Sequence, residues 1–168
     1  MKFEESFDFD HDVDTVARMF GDRDYYVAKY ERLGGRSPEI VACDRAGDRF
    51  SITVLHALEA AAMSLPDLLR KRIGSRLILE QTDVWQLDAG HGRIDIDIEK
   101  TPVAITIDLR LRDDRGTARL DLRFDIDAEV PLLGSKIEKA VAEPITRRVR
   151  DDLEVSRAMA ADYAEPAA

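Results

Sequence analysis

Ser135-Lys136-Ile137-Glu138 opens the last apolar-periodic stretch of the chain, and from it Ile137, Val141, Ile145, Val149 and Leu153 recur every four residues. The serine followed three residues later by glutamate is a capping-box pattern, which predicts a helix from Ser135 to about Tyr163. A four-residue interval slightly exceeds the helical period, so the apolar stripe drifts round the cylinder and one face must be buried. The other face carries Glu143/Arg147, Arg147/Asp151, Arg148/Asp152 and Arg150/Glu154, i,i+4 pairs worth a few tenths of a kcal/mol each on a wet surface. Pro144 removes one helical N–H and predicts a bend. Such a helix needs a partner surface, and the only one the chain offers is a set of strands upstream.

Those strands are visible as alternation. Phe3, Phe7 and Phe9 share one parity against Glu4, Ser6 and Asp8, the pattern of a half-buried strand. Val13, Val16, Ala17 and Phe20 then follow at helical spacing, with Asp12 as cap and Gly21 as stop. A second short helix over Arg23 to Leu33 turns Tyr26, Tyr30 and Leu33 inward and exits at Gly34-Gly35. Strands are predicted at Pro38–Cys43, from Phe50 through Leu58, and at Leu77–Leu87, Arg93–Glu99, Val103–Arg112 and Thr117–Glu129. The turns between them fall at Arg45-Ala46-Gly47-Asp48, Gly90-His91-Gly92 and Asp113-Asp114-Arg115-Gly116. In the last three strands the alternation is clean, with Ile94, Ile96 and Ile98, then Ile105, Ile107, Leu109 and Leu111, then Leu120, Leu122, Phe124 and Ile126 on the apolar parity. A sheet greasy on one side only takes a single covering layer, so the long helix must lie across it. The fold class is α+β: a seven-stranded curved antiparallel sheet around a long C-terminal helix, with two short helices after the first strand. Residues 1–164 read as a single domain and 165–168 as a disordered tail.

With 168 residues one domain is large enough to fold without a disulfide or metal. A formal net charge of −9 argues against a sequence-independent grip on nucleic acid. Lone Cys43 forms no internal disulfide, and Met1-Lys2-Phe3-Glu4-Glu5 lacks the apolar core of a signal peptide, so a cytoplasmic location is expected. No apolar run is long enough to span a bilayer. No cofactor motif is present.

The element order strand, two helices, six strands, helix resembles that of the START-like superfamily, also called SRPBCC or helix-grip. Two segments narrow the resemblance: Leu65-Pro66-Asp67-Leu68-Leu69-Arg70-Lys71 ahead of a strand ending in Val84-Trp85, and Val130-Pro131-Leu132-Leu133-Gly134-Ser135-Lys136-Ile137-Glu138. In these the chain is similar to the bacterial family called domain of unknown function 2505. The resemblance implies a curved sheet gripping the last helix and a cavity between them that in many relatives holds a lipid, sterol or polyketide. Some relatives are cyclases or dehydratases and others activate a chaperone ATPase, and the fold alone does not choose among them.

The inward parities give a candidate ligand cavity of Ile52, Val54, His56, Leu79, Gln81, Ile96, Ile107, Leu109, Leu122 and Phe124 from the sheet, with Val141, Ile145 and Val149 from the helix. The helix presents Ala140, Ala142 and Pro144 rather than aromatics, which leaves room unless other side chains fill it. His56 lies on the apolar parity and Asp83 shares parity with Gln81 and Trp85; a histidine oriented by a carboxylate makes a general base, so His56 is a candidate catalytic residue. A bulge between Gln81 and Val84 would instead send Asp83 to solvent, leaving His56 a core residue. Met63, Leu65, Leu68 and Leu69, flanked by Arg70, Lys71, Arg72 and Arg76, read as a lid, as a peripheral membrane or partner contact, or as a packed crossover. Asp8, Asp10, Asp12 and Asp14 lack the glycine and closing glutamate of a calcium loop, and His11, His56 and His91 lack zinc spacing, so no metal is expected. The leading expectation is therefore a carrier or binder of a small apolar molecule. A cyclase or dehydratase using His56 and an interaction module at residues 63–76 are the alternatives.

Overall fold

Seven strands form one antiparallel sheet in the order β1-β7-β6-β5-β4-β3-β2. The computed structural model describes residues 1–34, 38–60, 65 and 67–166, without the side chains of Leu58 and Leu68. The strands are β1 (Lys2–Asp8), β2 (Glu39–Ala46), β3 (Arg49–Glu59), β4 (Arg76–Gln86), β5 (His91–Ile98), β6 (Val103–Asp114) and β7 (Thr117–Ala128). The helices are α1 (Val13–Phe20), α2 (Arg23–Arg32), α3 (Asp67–Ile73) and α4 (Gly134–Met159), the last ending in a 3-10 turn, Ala160–Tyr163. β1 returns to pair with β7, Phe3 opposite Phe124 and Phe7 opposite Leu120, so the first and last strands in sequence are neighbours. The hairpin between β6 and β7 closes on Arg115 and Gly116, both at positive φ, the two-residue turn whose twist suits adjacent strands.

The expected alternation holds along β6 and β7, where Ile105, Ile107, Leu109, Leu120, Leu122, Phe124 and Ile126 are buried. β3 and β4 pair without a slip from Arg49/Gln86 to Glu59/Arg76. Ile52 therefore faces Asp83, and Val54 faces Gln81. No bulge intervenes, and Asp83 is buried.

Several local expectations are corrected. α4 opens at Gly134 with no side-chain cap. Glu138 instead accepts from the Ala128 N–H at 3.2 Å and from the N-terminal ammonium at 3.2 Å, tying the helix start to the end of β7. β2 is longer than predicted and continues through Ala46, its side chains mostly exposed on the sheet edge. β5 begins at His91, so Gly92 is a strand residue opposite Trp85 rather than a turn glycine. A Cβ on Gly92 would sit 2.8 Å from the Trp85 ring. Gly92→Ala should therefore cost about 1–3 kcal/mol in urea unfolding; an unchanged midpoint would mean that the ring can step aside.

The cover over the sheet also differs. α4 packs mainly on β7 and on α2, so it does not span the sheet alone. The first two helices fill the remainder with aromatics: Phe20 stacks on Trp85 with centroids 4.7 Å apart, Tyr26 on Phe50 at 5.7 Å, and Tyr30 meets His56 edge-on at 4.0 Å. The aromatics of α2 thus cover β3, while Ala142 of α4 lies on the β1 side, beside Met1 and Phe3. α4 runs through Pro144 without interruption. Ala167 and Ala168 lie outside the described residues, while Glu165 lies 3.7 Å from the Arg18 guanidinium.

Candidate functional site

Where α4 draws close to β7 and the aromatic cluster covers β3, a narrow space is left over β4, β5 and β6. It is enclosed by Leu79, Ile96, Ile107, Leu109 and Leu122 from the sheet and by Ile145 and Val149 from α4, with Lys29, Gln81, Asp83, Arg148 and Asp152 at one end. Its volume is about 40 Å³, room for about three water molecules. The sequence-predicted residues divide accordingly. Leu79, Gln81, Ile96, Ile107, Leu109, Leu122, Ile145 and Val149 surround the space. Ile52, Val54, His56 and Val141 are buried but outside this lining, and Phe124 borders a separate crevice of about 20 Å³ beside β1. The first three lie on β3, which α2 covers, and this is why inward parity alone does not bring them to the space.

The polar end is built mostly by α2. Tyr25, Tyr26, Lys29 and Tyr30 recur at helical spacing on one buried face. Lys29 is only 2% exposed. Its Nζ lies 3.1 Å from the Asp152 carboxylate and 5.0, 4.8 and 4.6 Å from the ring centroids of Tyr25, Tyr26 and Tyr30. Burial alone would discharge this amine; the Asp152 carboxylate reverses that shift and holds Lys29 protonated. The Tyr25 hydroxyl shares a 2.5 Å hydrogen bond with Ser156 Oγ, and Ser156 Oγ also donates to the Asp152 carbonyl at 2.8 Å. Asp152 thus turns inward to Lys29 rather than forming the surface pair with Arg148 predicted from i,i+4 spacing. Arg150 likewise reaches across to Glu5 at 3.2 Å, while Arg147–Glu143 forms as predicted at 2.8 Å.

Asp83 accepts a 2.9 Å hydrogen bond from Gln81 Nε2. Burial pushes its pKa up to about 6, against the pull of Lys29 and of the Gln81 hydrogen bond. His56 is not its partner. The His56 Nε2 and the Tyr30 hydroxyl are both buried without a hydrogen bond among the described residues. Burial lowers the imidazole pKa to about 3, helped by the charges of Arg148 and Lys29. The carboxylate-oriented histidine anticipated from parity is therefore not assembled, and a ring so hard to protonate makes a weak base at neutral pH.

The crossover residues are placed in part. Leu65 and Leu69 are buried and Arg70 donates to the Leu65 carbonyl at 3.1 Å; neither leucine borders the space described above. Met63 and the Leu68 side chain lie outside the described residues. Among the described residues no group of three or more His, Cys, Asp or Glu side chains is placed to hold a metal ion, and Asp12 caps α1 by accepting from the Thr15 N–H at 2.8 Å. Among the described residues no helix is long and apolar enough to cross a membrane.

Lys29, Tyr25, Asp152 and Ser156 were missed in the sequence. Their signal was present: Lys29 falls three and four residues after Tyr26 and Tyr25, and Asp152 falls three after Val149 and seven after Ile145, so each lies on its helix's inward stripe.

A seven-stranded antiparallel sheet of this order gripping a long C-terminal helix is the helix-grip fold. Solved structures agree in fold. The protein TTHA0849 of Thermus thermophilus is 13% identical with a TM-score of 0.65, over 98% of this chain and 100% of that one. Ara h 8.0201 is 10% identical with a TM-score of 0.68, over 96% of this chain and 98% of that one. The Zhui aromatase/cyclase of Streptomyces sp. R1128 is 12% identical with a TM-score of 0.62, over 95% of this chain and 93% of that one. At such identities the likeness is one of fold. The chain belongs to the family described as "Protein of unknown function (DUF2505)", whose model matches residues 4–159. Comparison with curated proteins returns no match.

Proposed function

We propose that the protein binds a small, mostly apolar molecule between β4–β7 and α4. The observation carrying this reading is a set of ionisable groups held inside an otherwise mostly apolar space. Lys29 and Asp83 are both nearly inaccessible to solvent, and burying such groups costs several kcal/mol that a purely structural core has no need to incur. Perturbed ionisable groups gathered at the end of a concave apolar space are the usual mark of a ligand site. The space of about 40 Å³ is too small for a lipid. A guest of ten or more heavy atoms requires α4 to move outward from β4–β6, which it faces across this space while its main contacts are to β7 and α2. Of the nonbinding alternatives, a reaction based on His56 has the less support, because that ring has no carboxylate partner and is held neutral.

The reading is tested with the neutral fluorophore N-phenyl-1-naphthylamine. Its fluorescence should rise saturably with wild-type protein, and Leu109→Trp and Val149→Trp, which fill the space from opposite walls, should weaken binding by tenfold or more while still showing cooperative thermal unfolding. No rise with wild type, or an equal rise with all three proteins, would remove the proposal.

A further inference from the structure

The polar end of the space carries an imbalance of hydrogen-bonding groups that restricts what the guest can be. An ammonium has three donors and no acceptor. Those of Lys29 are directed to Asp152 at 3.1 Å and to three tyrosine faces at 4.6 to 5.0 Å. The Tyr25 hydroxyl is taken by Ser156. Gln81 must turn its NH₂ toward Asp83, since an ionised carboxylate can only accept, and that bond, 2.9 Å long, uses Asp83 Oδ1. Among the described residues neither Asp83 Oδ2 nor Gln81 Oε1 has a hydrogen-bond partner, and the Gln81 amide keeps a second N–H beyond the one given to Asp83. The two oxygens are acceptors on residues that border the space.

Resting on the binding reading above, we infer that the guest is an apolar molecule bearing a neutral hydroxyl, an alcohol or phenol, which donates to Asp83 at the polar end of the space. An acidic headgroup there would meet the Asp83 carboxylate and find the Lys29 donors already engaged. A cationic amine would meet Lys29 beside it and Arg148 on the α4 wall. A hydroxyl satisfies the open acceptor without adding charge, and its oxygen remains able to accept from any water that enters with it. Arg148, half buried on α4, and the second Gln81 N–H are donors left at this end; an acid held by Arg148 would lie toward solvent with its apolar body reversed, whereas a hydroxyl that donates to Asp83 can accept from Gln81.

Three probes of one skeleton separate these cases: naphthalene, 2-naphthol and 2-naphthoate, titrated calorimetrically against wild type, Asp83→Asn and Asp83→Leu near neutral pH. Wild type should bind 2-naphthol about tenfold or more tighter than naphthalene, the gain of one hydrogen bond to a charged acceptor, and should bind 2-naphthoate most weakly. Asp83→Leu should bind naphthol and naphthalene equally, with Asp83→Asn intermediate. The wild-type ranking needs no variant, so a misfolded substitution does not blunt the test. Equal wild-type affinity for naphthalene and naphthol, or naphthoate as the tightest probe, would overturn the inference and leave apolar binding intact. Failure of both naphthalene and naphthol to bind would overturn the binding reading, and this inference with it.

Discussion

Lys29→Met should destabilise the protein by about 2–4 kcal/mol, the cost of leaving the partly buried Asp152 and the buried Asp83 carboxylates without their cation. The side chain is 3% exposed and its ammonium lies 3.1 Å from Asp152, beneath three tyrosine rings. Methionine preserves most of the volume, so the loss is electrostatic rather than a cavity effect. Asp152 is left facing tyrosines in place of a cation. Asp83, whose pKa is held down in part by Lys29, is left harder to ionise. The contact of the ammonium with aromatic faces adds a further contribution, up to about 2 kcal/mol when desolvated. The double variant Lys29→Met/Asp152→Leu removes both members of the pair and should recover most of the loss, because replacing a buried ion pair by apolar side chains of similar volume is often neutral. Urea unfolding of the two single variants and the double variant forms a cycle. Additive losses would show that Lys29 and Asp152 do not act as a pair, and the account of the polar end would have to be abandoned.

The outline of the fold was legible because it is written in periodicity. Ile105, Ile107, Leu109 and Leu111 against Asp108, Arg110 and Arg112 can be nothing but a strand with one wet face, and the four-residue stripe from Ile137 to Leu153 leaves little doubt of a helix lying on it. The site was harder to read for a physical reason. A charged residue on a helix is by default assigned to solvent: the i,i+4 reading pairs Asp152 with Arg148 on the wet face and Lys29 is not singled out, although each falls on its helix's inward stripe. What decides their placement is mutual: Lys29 goes inside because Asp152, far along the chain, meets it there. No local window contains that information. Parity did place Gln81 and Asp83 inward, and the unbroken β3–β4 register confirms that orientation. Parity also placed Ile52, Val54 and His56 inward, but inward on a sheet covered by several helices is not the same as facing a cavity. α2 lies over β3 and sets Tyr26 and Tyr30 against Phe50 and His56. The capping box failed similarly, since Glu138 found the Ala128 N–H and the N-terminus at the end of β7, partners that only the folded chain brings close.

Two buried titratable groups with opposite shifts lead to the second large effect. The folded state raises the pKa of Asp83 from 3.8 to about 6, so it binds that proton more tightly than the unfolded chain does, and its contribution to stability falls as pH rises from about 4 to about 6. The folded state lowers the pKa of His56 from 6.5 to about 3, so it resists that proton, and stability falls as pH drops from about 6.5 toward 3. Across the interval from about pH 4 to 6 the slopes are opposite, each approaching 1.4 kcal/mol per pH unit, and they largely cancel in the wild type. Removing either group exposes the other. Relative to wild type, Asp83→Asn should gain up to about 3 kcal/mol on going from pH 4 to pH 6. His56→Phe, which keeps a ring against Tyr30 and removes the unpartnered Nε2, should lose as much over the same interval. Taking each variant as a difference from wild type removes the common acid loss from Asp12, Asp95, Asp121 and Glu138, carboxylates whose pKa values are lowered by hydrogen bonds. Urea midpoints at half-unit pH steps provide the measurement. Difference curves that diverge from pH 4 to 6 with opposite signs are the expected result; flat curves for both variants would show that Asp83 and His56 are open to water in solution, and the buried polar end on which the binding site depends would not exist.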